Sequence, residues 1–274
     1  MRAAAIQMRS GISRGENLAE AEALIREAAA AGARLVVTPE MTTLLDRRRE
    51  RMLAELAEPS PHEEDVFASL SAELGLILVI GSMPALIPGS DKVANRSVLF
   101  ADGKRLAVYD KIHLFDVDLD TGESWRESKL YKGGNEAVLA KMPEAGIGLS
   151  ICYDVRFPHL YRHLAQAGAQ ILTVPAAFTV PTGEAHWEVL LRARAIETGS
   201  FVIAPAQGGA HEDGRETYGN SMIVSPWGQV LDRLPHAEPG IAAADLDLSK
   251  VHDVRQRIPS LALDRLTEVS ILTP

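Results

Sequence analysis

Short apolar segments alternate with longer amphipathic segments along this chain, and this alternation most constrains the fold. The segment RLVVT at 34–38 is an example, because its continuous apolar run predicts a strand buried on both faces of a sheet. Strands that alternate with helices, with hairpins in the middle of the chain, are typical of an α/β domain with a mixed sheet. About ten strands are predicted, and a single open sheet rarely holds so many. We therefore expect two stacked sheets with helices outside, in one domain spanning residues 1–274.

Two helices and two loops are predicted from local signals. Asn17 is a candidate N-cap for a helix that ends at Gly32. The segment SPHE at 60–63 is a capping-box pattern with proline at the first helical position, and it predicts a second helix. Residues 116–136 are polar and irregular, which indicates a loop. The segment FTVPTG at 178–183 is predicted as a loop that leads into a helix.

A charged or nucleophilic side chain follows three of the predicted strands. Glu40 comes after RLVVT, Lys111 after the second strand of a hairpin, and Cys152 after the strand GIGLSI. If these strands are neighbours, the three side chains converge at one edge of a sheet, where open α/β folds bind ligands. A carboxylate, an ammonium and a thiol suit acyl transfer, because they can accept the thiol proton, stabilise an oxyanion and form a thioester.

Three other interpretations of this pattern stay open on the residues alone. One is structural: a Glu40–Lys111 ion pair beside an inert Cys152, since free cysteine is among the most buried residue types. The second is a cysteine–histidine dyad with His186 or His211 as the base. The third is a binding or scaffold subunit that lacks enzymatic activity.

Composition narrows the class of protein. The chain has 274 residues, of which 46% are hydrophobic and 24% charged, as in globular proteins with a sizeable core. A single cysteine and the lack of a signal-peptide pattern at residues 1–10 predict a reducing, cytoplasmic location. The formal charge of −9 argues against nucleic-acid binding, and no apolar run is long enough for a membrane helix. The basic cluster at 47–51 is predicted to be a solvated helix face.

Two patterns that imitate metal sites are rejected. The acidic residues between 116 and 127, Asp120 among them, have the spacing of a calcium loop, but Thr121 stands where that loop needs glycine. His159 and His163 lie one helical turn apart without the other residues of a zinc motif, so a surface pair is expected. No metal and no cofactor are therefore predicted.

Seven segments resemble the nitrilase (carbon–nitrogen hydrolase) superfamily. In chain order they are VVTPE at 36–40, YDKIHLFDVD at 109–118, SICYDVRFP at 150–158, PAAFTVPTGEAHWEVLLRARAIE at 175–197, APAQ at 204–207, TYGNSMIVSPWG at 217–228 and IPSL at 258–261. They cover nearly the whole chain. The resemblance implies an α/β fold, an αββα sandwich of two stacked mixed sheets flanked by helices. It also implies a homodimer or higher homo-oligomer.

The resemblance implies a Glu-Lys-Cys triad. Carried over by position, Cys152 is the nucleophile, and Glu40 is the general base and later the acid. Lys111 is the oxyanion donor, together with the backbone N–H of Tyr153. The substrate is a small-molecule amide, and ammonia or an amine is released.

A second glutamate recurs in this family between the lysine and cysteine segments. The position corresponds to Glu127, although Glu123 and Glu136 lie in the same loop. This sequence departs from the family at Asn220, where relatives usually have histidine. The departure concerns the local pocket or interface that the resemblance implies, and not the triad.

The segments at 150–158 and 175–197 most resemble the subgroup of amidases that act on deaminated glutathione, and ω-amidases that hydrolyse α-ketoglutaramate are close to it. N-carbamoyl compounds and nitriles are hydrolysed with the same triad elsewhere in the superfamily. Both amide substrates carry carboxylates, and Arg156 is the predicted carboxylate clamp because guanidinium binds carboxylate bidentately. The other predicted substrate-binding residues are Phe178, Thr179, Thr182 and His186.

Overall fold

A computed structural model describes residues 1–58, 62–118, 124–265 and 267–272. The strands in these residues are β1 (Arg2–Gln7), β2 (Leu35–Val37), β3 (Ile77–Leu86), β4 (Val93–Ala101), β5 (Lys104–Asp110), β6 (Asp116–Asp118), β7 (Ser124–Arg126), β8 (Leu139–Lys141), β9 (Gly146–Gly148), β10 (Ile171–Thr173), β11 (Phe201–Ala204), β12 (Gly208–Ala210), β13 (Glu216–Tyr218), β14 (Met222–Val224), β15 (Val230–Arg233) and β16 (Gly240–Asp245). The helices are α1 (Arg14–Ala30), α2 (Arg49–Ala57), α3 (Glu63–Leu74), α4 (Pro158–Gln166), α5 (Val180–Thr198) and α6 (Ser249–Arg257), with 3₁₀ turns at Glu127–Lys129 and Cys152–Arg156.

Two six-stranded mixed sheets form the centre of the molecule. The first sheet has the order β16-β1-β2-β3-β4-β5, and the second has the order β15-β14-β11-β10-β9-β8. In the first sheet β1, β2 and β3 are parallel, and in the second sheet β9, β10 and β11 are parallel. The remaining strands of both sheets pair antiparallel with their neighbours. Strands β6–β7 and β12–β13 form two small ribbons.

The two sheets stack face to face, and alternate residues of each strand point into different layers. Ala5 and Val37 of the first sheet share one apolar core with Ile147 and Ile171 of the second sheet. The neighbouring residues on the same strands face outward onto α1 and α3, which bury a separate cluster: Ala4, Ile6, Val36, Leu78, Ile25 and Phe67. Helices α4 and α5 cover the second sheet. The predicted αββα sandwich is confirmed.

Local signals predicted some elements well and others poorly. The β4–β5 hairpin is confirmed, and Asp102 and Gly103 both have positive φ, as a tight two-residue hairpin turn requires. Ser13 rather than Asn17 caps α1, because the helix begins at Arg14 and Asn17 lies inside it. The Asn17 side chain bonds the N–H and the carbonyl of Gly11 and donates to the Thr43 carbonyl at 2.9 Å, so it connects two loops. The capping-box residues Ser60 and Pro61 lie outside the described residues.

Three further predictions are corrected. Helix α5 begins at Val180, so most of the predicted loop at 178–183 is its first turn, with Pro181 inside it. The predicted loop at 116–136 contains the β6–β7 ribbon and a 3₁₀ turn. Only part of the basic cluster at 47–51 is helical, because α2 starts at Arg49. No described helix is long and apolar enough to cross a membrane.

Gly81 in β3 allows a close approach between the two sheets next to the turn that carries Glu40. A Cβ at this position would overlap the carbonyl oxygens of Thr38 and Pro39 and the side chain of Pro175. The Gly81 N–H also donates to Thr38 Oγ1 at 3.0 Å. Any side chain at Gly81 must therefore displace backbone that positions the Glu40 turn.

We expect Gly81→Ala to lower the free energy of unfolding by about 2–3 kcal/mol, because the added methyl group overpacks a site with no space. Urea denaturation measures this change. Gly15→Ala in α1 is the matched control, since nothing lies within 4 Å of a Cβ there, and it should be neutral or slightly stabilising. Equal stability of the two variants would contradict the expected crowding at Gly81.

Candidate active site

Glu40, Lys111 and Cys152 meet between the two sheets. Glu40 follows β2 and Lys111 follows β5, both in the first sheet, whereas Cys152 opens the 3₁₀ turn after β9 in the second sheet. The expectation of a single sheet edge with neighbouring strands is therefore wrong, because β3 and β4 separate β2 from β5 and the thiol arrives from the facing sheet. The three side chains converge across the sandwich instead, and all are buried, with 4%, 2% and 8% of each residue exposed.

A hydrogen-bonded cluster surrounds the Lys111 ammonium. Its Nζ donates to Glu40 Oε1 at 2.9 Å and to Glu127 Oε1 and Oε2 at 3.0 and 2.9 Å. Asn95 Nδ2 donates to the same two carboxylates, at 2.9 Å for Glu40 and 3.2 Å for Glu127. The N–H of Phe115 donates to Glu127 Oε2 at 2.6 Å. Two carboxylates and one ammonium are thus held in a fixed arrangement next to Cys152.

Of the three glutamates considered for the second carboxylate, the structure places Glu127 against Lys111. Glu136 is exposed in the loop before β8. Glu123 lies outside the described residues.

The cluster keeps Glu40 and Lys111 charged. Burial raises the pKa of the Glu40 carboxyl, but the Lys111 ammonium and the hydrogen bonds it receives outweigh burial, so the pKa lies below its ordinary value. Burial lowers the pKa of the Lys111 ammonium, but the carboxylates of Glu127 and Glu40 hold it well above its ordinary value. The attraction between the opposite charges thus offsets the cost of burying both groups.

The Cys152 thiol is protonated and hydrogen-bonded to the base. Burial and the Glu40 carboxylate raise the pKa of the thiol well above its ordinary value, and the Lys111 ammonium opposes them only in part. The thiol donates a hydrogen bond to Glu40, and the N–H of Ala177 donates to the Cys152 sulfur. The arrangement therefore suits proton transfer to Glu40 during attack rather than a thiolate formed beforehand.

The backbone at Cys152 is unusual and is held from several sides. Its φ is 49°, in the left-handed region that residues other than glycine rarely adopt. The Cys152 N–H donates to the carbonyl of Pro175 at 2.8 Å. Tyr153 follows as one of the first residues of the 3₁₀ turn, where backbone N–H groups have no partner within the turn.

Asp154 fastens this turn to the segment that carries Lys111. Its fully buried carboxylate accepts from the Tyr109 hydroxyl at 2.6 Å, from the Ile151 N–H at 2.8 Å and from the His113 N–H at 3.1 Å. The His113 ring nitrogen Nδ1 lies 2.7 Å from Asp154 Oδ1. We call these four residues the Asp154 latch. Tyr109 and His113 flank Lys111 in the chain, so the latch ties the lysine to the thiol.

The site opens into a cavity of about 800 Å³. The expected substrate-binding residues that line it are Tyr153, Arg156, Phe178, Thr179 and Thr182. The Arg156 guanidinium lies over the Tyr153 and Phe178 rings, with its Cζ at 5.9 and 5.5 Å from their centroids. No described carboxylate forms an ion pair with Arg156, so its charge faces the cavity without a counter-ion from the described chain.

The remaining candidates from the sequence lie elsewhere. His186 is exposed outside the cavity lining, and its Nδ1 lies 3.2 Å from Arg156 Nη2. The His211 ring bonds the Ser10 carbonyl and the Thr217 hydroxyl, at 2.9 and 2.7 Å. Neither imidazole bonds to the thiol, so the dyad interpretation has no support in the described residues.

Asn220 also lies away from the cavity. Its φ is 58°, which asparagine tolerates better than most residues, and its side chain accepts from the Arg233 guanidinium at 2.7 Å. The candidate calcium loop falls partly outside the described residues, since Asp120 and Thr121 are not among them. Elsewhere in the described chain, no group of three or more His, Cys, Asp or Glu side chains is placed to hold a metal ion.

Sequence reasoning missed four residues of the site. Asn95 bridges the two carboxylates, and its signal was a polar residue within an otherwise buried strand. Asp154 belongs to the segment SICYDVRFP at 150–158, but no pattern in the sequence gives it a role. Arg47 and Arg215 line the cavity, and the prediction of a solvated helix face is wrong for Arg47, which precedes α2. No local pattern pointed to either arginine.

Comparison with known proteins matches residues 2–256 to the family described as carbon-nitrogen hydrolase. A deaminated glutathione amidase of Synechocystis sp. is 42% identical over 263 residues, which are 94% of this chain and 96% of that protein. The Homo sapiens deaminated glutathione amidase is 39% identical over 264 residues, which are 93% of this chain and 80% of that protein.

Solved structures agree with this match. The C. elegans NitFhit protein has a TM-score of 0.89 and 34% identity, and the match covers 96% of this chain but only 65% of that longer protein. An amidase from Nesterenkonia sp. AN1, in a glutamate-to-glutamine variant whose active-site cysteine has added acrylamide, has a TM-score of 0.78 and 26% identity. That match covers 96% of this chain and 100% of the amidase. The chain therefore belongs to the carbon–nitrogen hydrolase family and is an enzyme that hydrolyses amides.

Proposed function

We propose that this enzyme hydrolyses deaminated glutathione through a thioester on Cys152. One observation carries the proposal: the Cys152 thiol is hydrogen-bonded to Glu40, whose carboxylate also accepts from Lys111 Nζ at 2.9 Å, at a cavity lined by Arg156, which forms no ion pair with a described carboxylate. The similarity to amidases named for this substrate supports the choice of substrate. We further propose that residues 1–274 act as one catalytic domain.

Acylation begins when the amide carbonyl enters the cavity beside Cys152. Glu40 accepts the thiol proton as sulfur attacks the carbonyl carbon. The resulting oxyanion is stabilised by the Lys111 ammonium and the Tyr153 N–H, and each such donor contributes about 10²–10³ in rate. Glu40 then returns its proton to the nitrogen of the leaving group, and the C–N bond breaks.

Deacylation uses the same groups again, with water in place of the thiol as the nucleophile. Departure of the amine opens space for a water molecule next to the thioester. Glu40 takes a proton from that water as it attacks, and the second oxyanion meets the same donors. When the intermediate collapses, the C–S bond breaks and the acid is released, and Glu40 returns its proton to the sulfur, which restores the Cys152 thiol. Glu127 keeps Lys111 charged and oriented in both halves.

The acyl part of the substrate lies against Arg156. Its guanidinium can bind the carboxylate of a 2-oxo acid bidentately, above the Tyr153 and Phe178 rings. Thr179 and Thr182, whose hydroxyls are 2.8 Å apart, border the same side of the cavity. We assign His186 an indirect part, in which its contact with Arg156 orients the clamp.

We also propose that the enzyme is a cytoplasmic homodimer. Its lone cysteine suits a reducing compartment. Large apolar side chains of α5 and of the turn between β14 and β15 are exposed, among them Val189 at 68% and Trp227 at 55%, and such exposure is typical of surfaces that bind a partner.

The proposed substrate is tested by comparing product release from deaminated glutathione, α-ketoglutaramate, an N-carbamoyl amino acid and a nitrile. We expect deaminated glutathione to have the highest kcat/KM, and Cys152→Ala to reduce its hydrolysis by about 10⁴-fold or more while the circular dichroism spectrum stays unchanged. A higher kcat/KM for the carbamoyl compound or the nitrile would refute the substrate, and activity of Cys152→Ala would refute the mechanism.

Glu40→Gln should lower the pKa of the Cys152 thiol and at the same time abolish amide hydrolysis. Removing the Glu40 carboxylate removes one of the causes that raise the pKa of Cys152, while Glu127 keeps Lys111 charged, so the thiol pKa should fall. Amide hydrolysis should nevertheless be lost, because no base remains. The rate of iodoacetamide addition against pH, followed by mass spectrometry on the lone cysteine, measures the shift. An unchanged or raised thiol pKa would contradict this arrangement.

Asp154→Asn should weaken the latch without removing a group that touches substrate. We expect kcat to fall by about tenfold to a hundredfold with KM changed less than about twofold, since small displacements of reacting groups have such effects. Tyr109→Phe removes one of the hydrogen bonds and is the milder comparison. Steady-state kinetics separates the outcomes, and a rise in KM at constant kcat would show that Asp154 does not position the thiol.

A further inference from the structure

Three aromatic rings line one wall of the cavity and separate two sets of arginines. Ring centroids of Trp125 and Phe115 are 6.2 Å apart, and those of Phe115 and Tyr153 are 5.1 Å apart. The Arg156 guanidinium Cζ lies 5.9 Å from the Tyr153 centroid at one end of this ring row. At the other end, the Arg215 Cζ lies 5.5 Å from the Trp125 centroid. Cationic groups therefore occupy both ends of the row.

Arg215 and Arg47 are brought together by Asp213. Arg215 Nε donates to Asp213 Oδ2 at 2.7 Å, and the backbone N–H of Arg47 donates to the same oxygen at 3.0 Å. The Arg47 guanidinium lies against Gly214, where a Cβ would stand 3.2 Å from its Nη2. Asp213 is buried, with 6% of the residue exposed, so the pair of arginines has a fixed anchor on two distant segments.

The two guanidinium groups keep unused hydrogen-bond donors. Asp213 engages Nε of Arg215, and neither terminal nitrogen of Arg215 bonds a described residue. The Arg47 guanidinium forms no ion pair with a described carboxylate. Glu216 also lines the cavity, but its side chain is exposed and forms no ion pair with a described residue. On a chain with a formal charge of −9, two such cations in one cavity wall favour an anionic ligand.

We propose that Arg47 and Arg215 bind a carboxylate on the leaving-group side of the substrate, while Arg156 binds the carboxylate on the acyl side. The inference rests on the proposed amide hydrolysis and deepens it by specifying the substrate class: amides with a carboxylate on each side of the scissile bond. Deaminated glutathione meets this requirement, because its leaving group is a dipeptide that ends in a carboxylate. α-Ketoglutaramate does not, because it releases ammonia. A cavity of about 800 Å³ is large enough for the longer substrate.

The unaltered enzyme provides the first test. Deaminated glutathione is compared with its C-terminal carboxamide, which has the same shape without the distal charge. We expect kcat/KM to be about tenfold higher for the acid, mainly through KM, since a charged hydrogen-bonded contact contributes on that order. Equal kcat/KM for acid and carboxamide would overturn the inference.

Arg47→Gln and Arg215→Gln provide the second test. Each should reduce the preference for the acid over the carboxamide, and Arg47→Gln is the cleaner variant because its guanidinium holds no described carboxylate. Arg48→Gln is the matched control. Arg48 is next to Arg47 in the chain, exposed and outside the cavity lining, and its substitution changes the net charge by the same amount. Arg156→Gln should lower kcat/KM for both compounds and keep their ratio.

A wrong assignment of the two arginines and a wrong substrate give different experimental results. If both arginine variants retain the full preference for the acid, the distal carboxylate is bound elsewhere and the inference is wrong. If the unaltered enzyme hydrolyses neither compound, the proposed substrate itself is wrong, and the inference falls with it.

Discussion

The buried ion pair between Lys111 and Glu40 is the interaction on which the rest of the site depends. Removing one member of such a pair leaves an uncompensated charge, which commonly costs about 3–5 kcal/mol. Glu127 and Asn95 complete the cluster, because Glu127 accepts from Lys111 Nζ and Asn95 Nδ2 donates to both carboxylates. The same charges that stabilise each other also underlie the proposed chemistry, in which the ionised Glu40 carboxylate accepts the proton of the neighbouring thiol.

Both sheets of the sandwich contribute side chains to this cluster. The first sheet supplies the carboxylate and the ammonium, and the second sheet supplies the thiol. The Asp154 latch and the close approach at Gly81 fix the position of one sheet relative to the other at this point. A positive φ at Cys152 is tolerated because hydrogen bonds from both sides fix the turn. Rigid elements therefore position every reacting group, and the cavity loops can vary around them.

In the binding mode that we propose, charge outside the reacting cluster selects the amide substrate. Arg156 at one end of the ring row and Arg215 with Arg47 at the other make the cavity complementary to an elongated anion. The aromatic rings between them provide an apolar wall, which strengthens electrostatic contacts by excluding water. The proposal thus assigns reaction type and substrate choice to separate parts of the same cavity, as is common for enzymes that share a catalytic fold.

The sequence by itself determined the features that depend on neighbouring residues. The hairpin at Asp102–Gly103, the short buried strands and the positions of Glu40, Lys111 and Cys152 after them could all be predicted, because turn geometry and strand burial are local properties. Only the tertiary structure decided that the thiol comes from the facing sheet, that Asp154 bonds Tyr109 and His113, and that Arg47 meets Arg215 at one buried aspartate. These contacts join segments far apart in the chain, and their formation depends on how whole sheets and helices pack, which no local pattern of residues specifies.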